Sequence, residues 1–247
     1  MMPEDRLKFI VKSVYDLLPT PQNKSTWFGE DGACRQCGET GTLTHILSGC
    51  RVALTEGKYK WRHDQVLREI AQIVEERRRS NNAAPKDKGG GKIDFIKPGE
   101  KRRETQRPLT SYLDGAGDWS MQVDLDGKLR VPERVAETNL RPDMILLSQS
   151  SRRMGIVELS VPSEERIEVS GELKREKYAR IEAEERLRGW AVRTWTVEVG
   201  SRGFPAASMA TFLKDLGIGG SERKRVLRRI GETAEGCSKT IWRWSCM

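Results

Sequence analysis

Long apolar runs are missing from this sequence. Hydrophobic residues make up 36% of the 247 positions, and no apolar stretch approaches the roughly 20 residues that a membrane-spanning helix needs. The first residues, MMPEDRLKF, also lack the apolar segment of a secretory signal. We therefore expect a chain that has no membrane association and that works in a reducing compartment, where disulfides are rare.

Cysteine and histidine are scarce and unevenly placed. The chain has five cysteines and two histidines, and Cys34, Cys37, His45 and Cys50 fall within 17 residues. Three thiolates and one imidazole are the donor set of a closed tetrahedral zinc site, which leaves no position open for catalysis. The spacing therefore predicts a structural zinc knuckle. The alternative is a small core of reduced cysteines, which the polar surroundings disfavour.

Positive charge is concentrated in one segment. The formal net charge is +8, and residues 77–107 hold 11 Lys and Arg against 4 Asp and Glu. Glycine, proline and lysine between 80 and 107 leave too little apolar surface to order this part, so we predict a basic disordered linker there. It would separate an N-terminal unit, 1–79, from a second domain, 108–247. Such an arm attracts phosphate or signals nuclear import, or it is simply a solvated tether.

Hydrophobic periodicity gives the order of the elements. The N-terminal unit has one helical stripe over 4–18 and another through 66–74. In the second domain, alternation and turn signals predict strands, then a long helix, one more strand and further helices. The strands fall at 119–125, 129–131, 143–148, 154–161 and 191–199, and the helices begin near 163, 206 and 221. This order predicts an α+β fold with a mixed sheet flanked by helices.

Two carboxylates stand at the ends of strands that we expect to pair. Fourteen residues separate Asp143 from Glu158, and Glu158 lies between Val157 and Leu159, where a charge is costly to bury without a cation or a lysine. Oxygen ligands suit Mg²⁺, which generates hydroxide from bound water and neutralises phosphate charge. The pair therefore predicts a magnesium-dependent nuclease site. The alternative is a structural role for both acids.

A series of motifs in order resembles the C-terminal region of non-long-terminal-repeat retrotransposon polyproteins that insert into ribosomal DNA. The motifs are CRQC, THILSGCRVALTEGKYKWRHDQVL, DWSMQVDL, RPDMILLS, VELSVPSEERI, ELKREKYARI and VEVGSRGF. In that family a restriction-like endonuclease of the PD-(D/E)xK type follows the knuckle. The family's reverse transcriptase lies upstream of the knuckle, and this chain has no room for it.

The resemblance implies a nuclear DNA endonuclease that makes the nick for target-primed reverse transcription, with DNA as its partner and RNA as a second candidate. The family's usual lysine, two residues after the second acid, is replaced by Ser160. We therefore expect a relocated catalytic lysine on the following helix. Lys174 ranks first because it falls on the stripe that faces the sheet. Lys177 ranks second because it lies about 60° round the helix from Lys174.

Some alternatives stay open at this stage. The chain is an active nuclease, a nucleic-acid-binding module with an inactive nuclease fold, or a decayed fragment without activity. His63, between Arg62 and Asp64, is either a phosphate contact or a local hydrogen-bonding group. Three further acids offer another metal ligand, although such residues are more commonly exposed and bind nothing: Asp124, Glu168 and Glu172. The oligomeric state and the target sequence do not follow from the sequence.

Overall fold

The computed structural model describes residues 4–84, 110–125, 127–131 and 140–246. Most of the predicted linker, the first residues of the predicted second domain and Asp126, which follows the first predicted strand, lie outside the described residues. The N-terminal helices are α1 (Glu4–Val14), α2 (Pro21–Phe28), α3 (Arg51–Thr55) and α4 (Lys58–Ala83), with a π-helical turn at His45–Gly49. None of the helices in these described ranges has the length and hydropathy needed to span a membrane.

The sheet elements follow in the predicted order. They are β1 (Ser120–Val123), β2 (Met144–Ser148), β3 (Arg153–Ser160), a short 3-10 turn at Glu164–Arg166, α5 (Ile167–Leu187), β4 (Ala191–Glu198), α6 (Ala207–Asp215) and α7 (Gly220–Cys246). The strand order is β1-β2-β3-β4. The first three strands are antiparallel, and β4 runs parallel to β3 after the α5 crossover. The predicted α+β fold with a mixed sheet and flanking helices is confirmed.

The two faces of the sheet pack against different helices. Side chains alternate along each strand, so β3 presents Met154 and Ile156 to α5 and presents Val157 and Leu159 to the opposite face. Met154 and Ile156 pack with Tyr178 and other residues of α5. Val157 and Leu159 join a larger core on the opposite face, which is built with α4, α6 and α7. Glu158 therefore points towards α5.

Helix α4 belongs to the core of the sheet. Its apolar stripe, predicted from the spacing, is fully or almost fully buried and shares one hydrophobic cluster with Trp119, Val157 and Phe212. Packing in the described residues therefore crosses the predicted boundary at residue 79. The predicted short strand at 129–131 is absent, because these described residues have no strand partner.

Arg62 connects three parts of the chain. It lies on α4 with only 2% of its surface exposed. Its Nη1 donates to the Leu47 carbonyl and the Ser238 hydroxyl, and its Nη2 donates to the Val161 carbonyl, all at 2.9 Å. Burial lowers the pKa of Arg62 to about 10. This guanidinium therefore joins the cysteine-rich region, α7 and the loop that follows β3.

Substitution of Arg62 by methionine should lower the free energy of unfolding by roughly 2–5 kcal/mol, because two buried acceptors and one partly buried acceptor lose their donor while the apolar stem is kept. Urea denaturation measures this difference. Arg68→Met removes the same charge from an exposed position of α4 and is the matched control. Equal stability of the two variants would contradict the connecting role of Arg62.

Candidate metal centre and candidate active site

The four predicted zinc ligands converge. The ligand atoms of Cys34, Cys37, His45 and Cys50 all lie within 4.8 Å of one another. Cys34 and Cys37 flank a turn that is closed by a bridge between Ala33 and Thr40, and Gly38 takes the left-handed conformation that this turn requires (φ 80°). The π-helical turn then presents His45 and leads directly into Cys50.

The surroundings of this cluster also suit a metal. His45 Nε2 lies 3.2 Å from the Cys37 sulfur, and its Nδ1 lies 3.6 Å from a carboxylate oxygen of Glu39. A carboxylate on the far nitrogen is the usual way in which a metal-binding histidine is oriented. Burial opposes ionisation of the Cys34 thiol, but backbone N–H groups of the turn hold the pKa of Cys34 below its usual value. This cluster could hold a zinc ion.

The two predicted carboxylates meet at the end of the β2–β3 pair. Asp143 immediately precedes β2, and the antiparallel register sets it beside Glu158. The Asp143 N–H donates to Glu158 Oε2 at 3.3 Å, and Asp143 Oδ2 accepts from the Leu159 N–H at 2.7 Å. Glu158 is 4% exposed. The backbone therefore holds both acids in one fixed arrangement.

Both predicted lysines reach this pair from α5. Lys174 Nζ lies 3.4 Å from Glu158 Oε1 and 3.8 Å from Asp143 Oδ2, and it donates to the Leu159 carbonyl. Lys177 Nζ lies 3.2 Å from the same Glu158 oxygen. Tyr178 donates its hydroxyl to Glu158 Oε2 at 3.1 Å, and burial beside that carboxylate raises the pKa of Tyr178. Of the two lysines, Lys174 is the one that reaches both acids.

A second helix, α4, also contributes to this site. His63 Nε2 lies 3.4 Å from Asp143 Oδ2, while its Nδ1 lies 3.1 Å from Asp64. Burial disfavours the charged imidazole, but the hydrogen bond and charge of Asp143 outweigh it and raise the pKa of His63. Burial likewise opposes ionisation of Asp143, but His63 and Lys174 hold the pKa of Asp143 below its usual value. The site thus pairs two acids with three basic side chains.

Sequence reasoning identified His63 as a candidate contact but did not connect it with Asp143. Seventy-nine residues separate them in the sequence, and the packing of α4 on the sheet brings them together. It also missed the Leu159 carbonyl and the Tyr178 hydroxyl as parts of the site, since neither has a sequence signature of its own. A comparison with models of known protein families gave no match, and neither did a comparison with curated proteins.

Proposed function

We propose that this chain is a divalent-metal-dependent DNA endonuclease whose catalytic centre is formed by Asp143, Glu158 and Lys174. The observation that carries the proposal is the convergence of the buried Glu158 carboxylate, the half-buried Asp143 carboxylate and the Leu159 carbonyl on one ammonium group. Carboxylate and carbonyl oxygens are among the ligands that Mg²⁺ prefers. The motif resemblance supports the same reading, and it implies a nuclear enzyme that nicks DNA for target-primed reverse transcription.

Each side chain has a distinct task in this mechanism. Asp143 and Glu158 would hold the magnesium ion, which when bound supplies hydroxide and neutralises charge on the scissile phosphate. Lys174 would move from the carboxylates to the phosphate, where its charge stabilises the transition state. Lys177 flanks Glu158 and holds its orientation. His63 fixes Asp143 from the α4 side and keeps one face of that carboxylate from solvent.

The relocated lysine follows from the fold. Ser160 has the position where the restriction-like family has its lysine, and it lies on the same sheet face as Glu158. Lys174 approaches that face from α5, the helix that follows β3 in the sequence. An ammonium group delivered from the helix occupies the same neighbourhood of the carboxylates, so the chemistry does not require the strand position.

For the cysteine-rich cluster we propose a structural zinc. Four donors satisfy a tetrahedral ion, so no coordination position is left for a substrate. Leu47, in the π-helical turn that carries His45, accepts a hydrogen bond from Arg62, and the next residue of α4 is His63. The zinc would therefore stabilise the part of the chain from which α4 reaches the carboxylates.

A basic groove supports DNA as the partner. The end of α4 and the start of α7 enclose a cavity of about 180 Å³, and its charged lining residues are three arginines and two glutamates: Arg77, Arg225, Arg229, Glu76 and Glu222. Lys224 and Arg228 are exposed on the adjacent surface of α7. Phosphates are attracted to such a concentration of arginine, without regard to base sequence.

Removal of one charge from the groove and one from the adjacent surface of α7 should weaken DNA binding. We expect Arg225→Ala/Arg228→Ala to lower the affinity for duplex DNA several-fold at low salt, and to reduce the slope of log K against log salt by about 0.9 for each phosphate that is no longer neutralised. Fluorescence anisotropy over a salt series measures both. Arg180→Ala/Lys214→Ala removes two exposed charges elsewhere and serves as control. Identical salt slopes for all three proteins would show that the groove does not bind DNA.

Nicking of supercoiled plasmid tests the function itself. Purified zinc-loaded protein should convert supercoiled DNA to the open circular form with magnesium present and not with EDTA. A second candidate function is a DNA-binding module without activity. The ammonium group of Lys174 favours it, because this group offsets the negative charge of Asp143 and Glu158 without a metal. DNA binding without nicking, over a range of divalent ions, would support that alternative.

A further inference from the structure

The two carboxylate oxygens of Glu158 have different neighbours. Oε2 accepts a hydrogen bond from the Tyr178 hydroxyl at 3.1 Å and another from the Asp143 N–H at 3.3 Å. Oε1 instead faces two ammonium groups, those of Lys177 at 3.2 Å and Lys174 at 3.4 Å. Two neutral donors therefore hold Oε2, while two cations lie at Oε1.

The two sides of this carboxylate also differ in their access to solvent. The side chains of Lys174 and Lys177 are 27% and 38% exposed. Tyr178, on the other side, is fully buried and packs with Met154 and Ile156 of β3. A cation that arrives from solvent can therefore replace an ammonium group at Oε1, whereas Oε2 lies against the core and already has two donors.

The ring and the hydroxyl of Tyr178 have separate contacts. The ring belongs to the core between α5 and the sheet, and Lys177 Nζ lies 4.9 Å from its centroid. The hydroxyl makes its hydrogen bond with Glu158. A hydroxyl that is buried this deeply requires a partner, and hydrogen bonds to an ionised carboxylate are among the stronger ones in proteins. Loss of the hydroxyl alone would therefore affect Glu158 and leave the packing of the ring in place.

We propose that Tyr178 is a positioning residue, which holds Glu158 so that Oε1 is the oxygen available to the metal ion. This inference rests on the proposed function, because it assigns a role within the same metal site. Without the hydroxyl, Oε2 would keep only the longer hydrogen bond from the Asp143 N–H, and the carboxylate would be free to turn towards the lysines. Loss of an outer partner of a metal-binding carboxylate typically weakens metal binding or activity 10- to 100-fold.

Manganese binding to the full zinc-loaded chain, without DNA, tests this role. Mn²⁺ prefers the same oxygen ligands as Mg²⁺, and the paramagnetic resonance of free Mn²⁺ measures how much of the ion is bound. Tyr178→Phe keeps the ring and removes only the hydroxyl, so it should weaken Mn²⁺ binding about 10-fold or more. Plasmid nicking by this variant should slow most at low magnesium and recover at high magnesium, because a weakened site still fills when the ion is in excess.

Tyr112→Phe is the matched control, because the Tyr112 hydroxyl donates to the Met154 and Ala191 carbonyls and not to a carboxylate. It should bind Mn²⁺ as wild type does, and circular dichroism verifies the fold of both variants. Equal weakening by the two variants would overturn the positioning role. So would wild-type affinity in Tyr178→Phe, provided that Asp143→Ala reduces binding. Binding that Asp143→Ala leaves unchanged would instead overturn the proposed function, and this inference with it.

Discussion

Replacement of Asp143 or Glu158 by alanine should reduce magnesium-dependent nicking of DNA by at least about 100-fold, with DNA affinity nearly unchanged. Each substitution removes a proposed ligand of the metal, and neither carboxylate is expected to attract phosphate. Initial rates of plasmid nicking and anisotropy with a DNA duplex measure the two quantities separately. A parallel loss of affinity and rate would instead indicate damage to the DNA-binding surface.

Variants of the two lysines refine this prediction. Lys174→Ala should reduce the rate on the order of 100-fold without preventing metal binding, because the ammonium acts on transition-state charge. Lys177→Ala should have a smaller effect, since Lys177 contacts Glu158 and not Asp143. Glu158→Gln accompanies Glu158→Ala because it keeps an acceptor for Tyr178. A larger loss in Lys177→Ala than in Lys174→Ala would reverse the assigned order of the two lysines.

Removal of zinc should unfold the region around residues 25–60, because zinc binding to such sites is worth on the order of 10 kcal/mol. Metal analysis should give one zinc per chain, and Cys34→Ser should lose it. Leu47 of this region packs with Phe9 and Ile241, so the loss should also loosen α1 and the end of α7. Hydrogen exchange should show continued protection of the four strands.

The control for this prediction is Cys237→Ser, which alters a buried cysteine outside the cluster. It should keep one zinc and the wild-type exchange pattern around residues 25–60. Protein that contains no zinc, or Cys34→Ser protein as stable in this region as wild type, would rule out a structural metal.

Local pattern predicted most of the secondary structure. The paired strands around Asp143 and Glu158 were predicted because two apolar runs flank a polar turn, and the helix after Pro162 because its apolar positions recur every three or four residues. The same spacing placed Lys174 towards the sheet. Helix α4 begins at Lys58, eight residues before the predicted stripe, because polar residues in its first turns hide the helical period.

The sequence patterns did not predict the tertiary contacts. The sequence shows that α4 has an apolar stripe but not which surface covers it, so its place in the core of the sheet had to come from the structure. The contact of His63 with Asp143 depends on that placement.

The most direct test of the central claim compares wild type with the double variant Asp143→Ala/Glu158→Ala in one nicking experiment. Both proteins are purified identically and zinc-loaded, and each is titrated against supercoiled plasmid with magnesium. We predict open circular product in proportion to wild-type protein and none above background for the double variant, at equal DNA affinity. Equal nicking by the two proteins would contradict the assignment of these carboxylates as the catalytic centre.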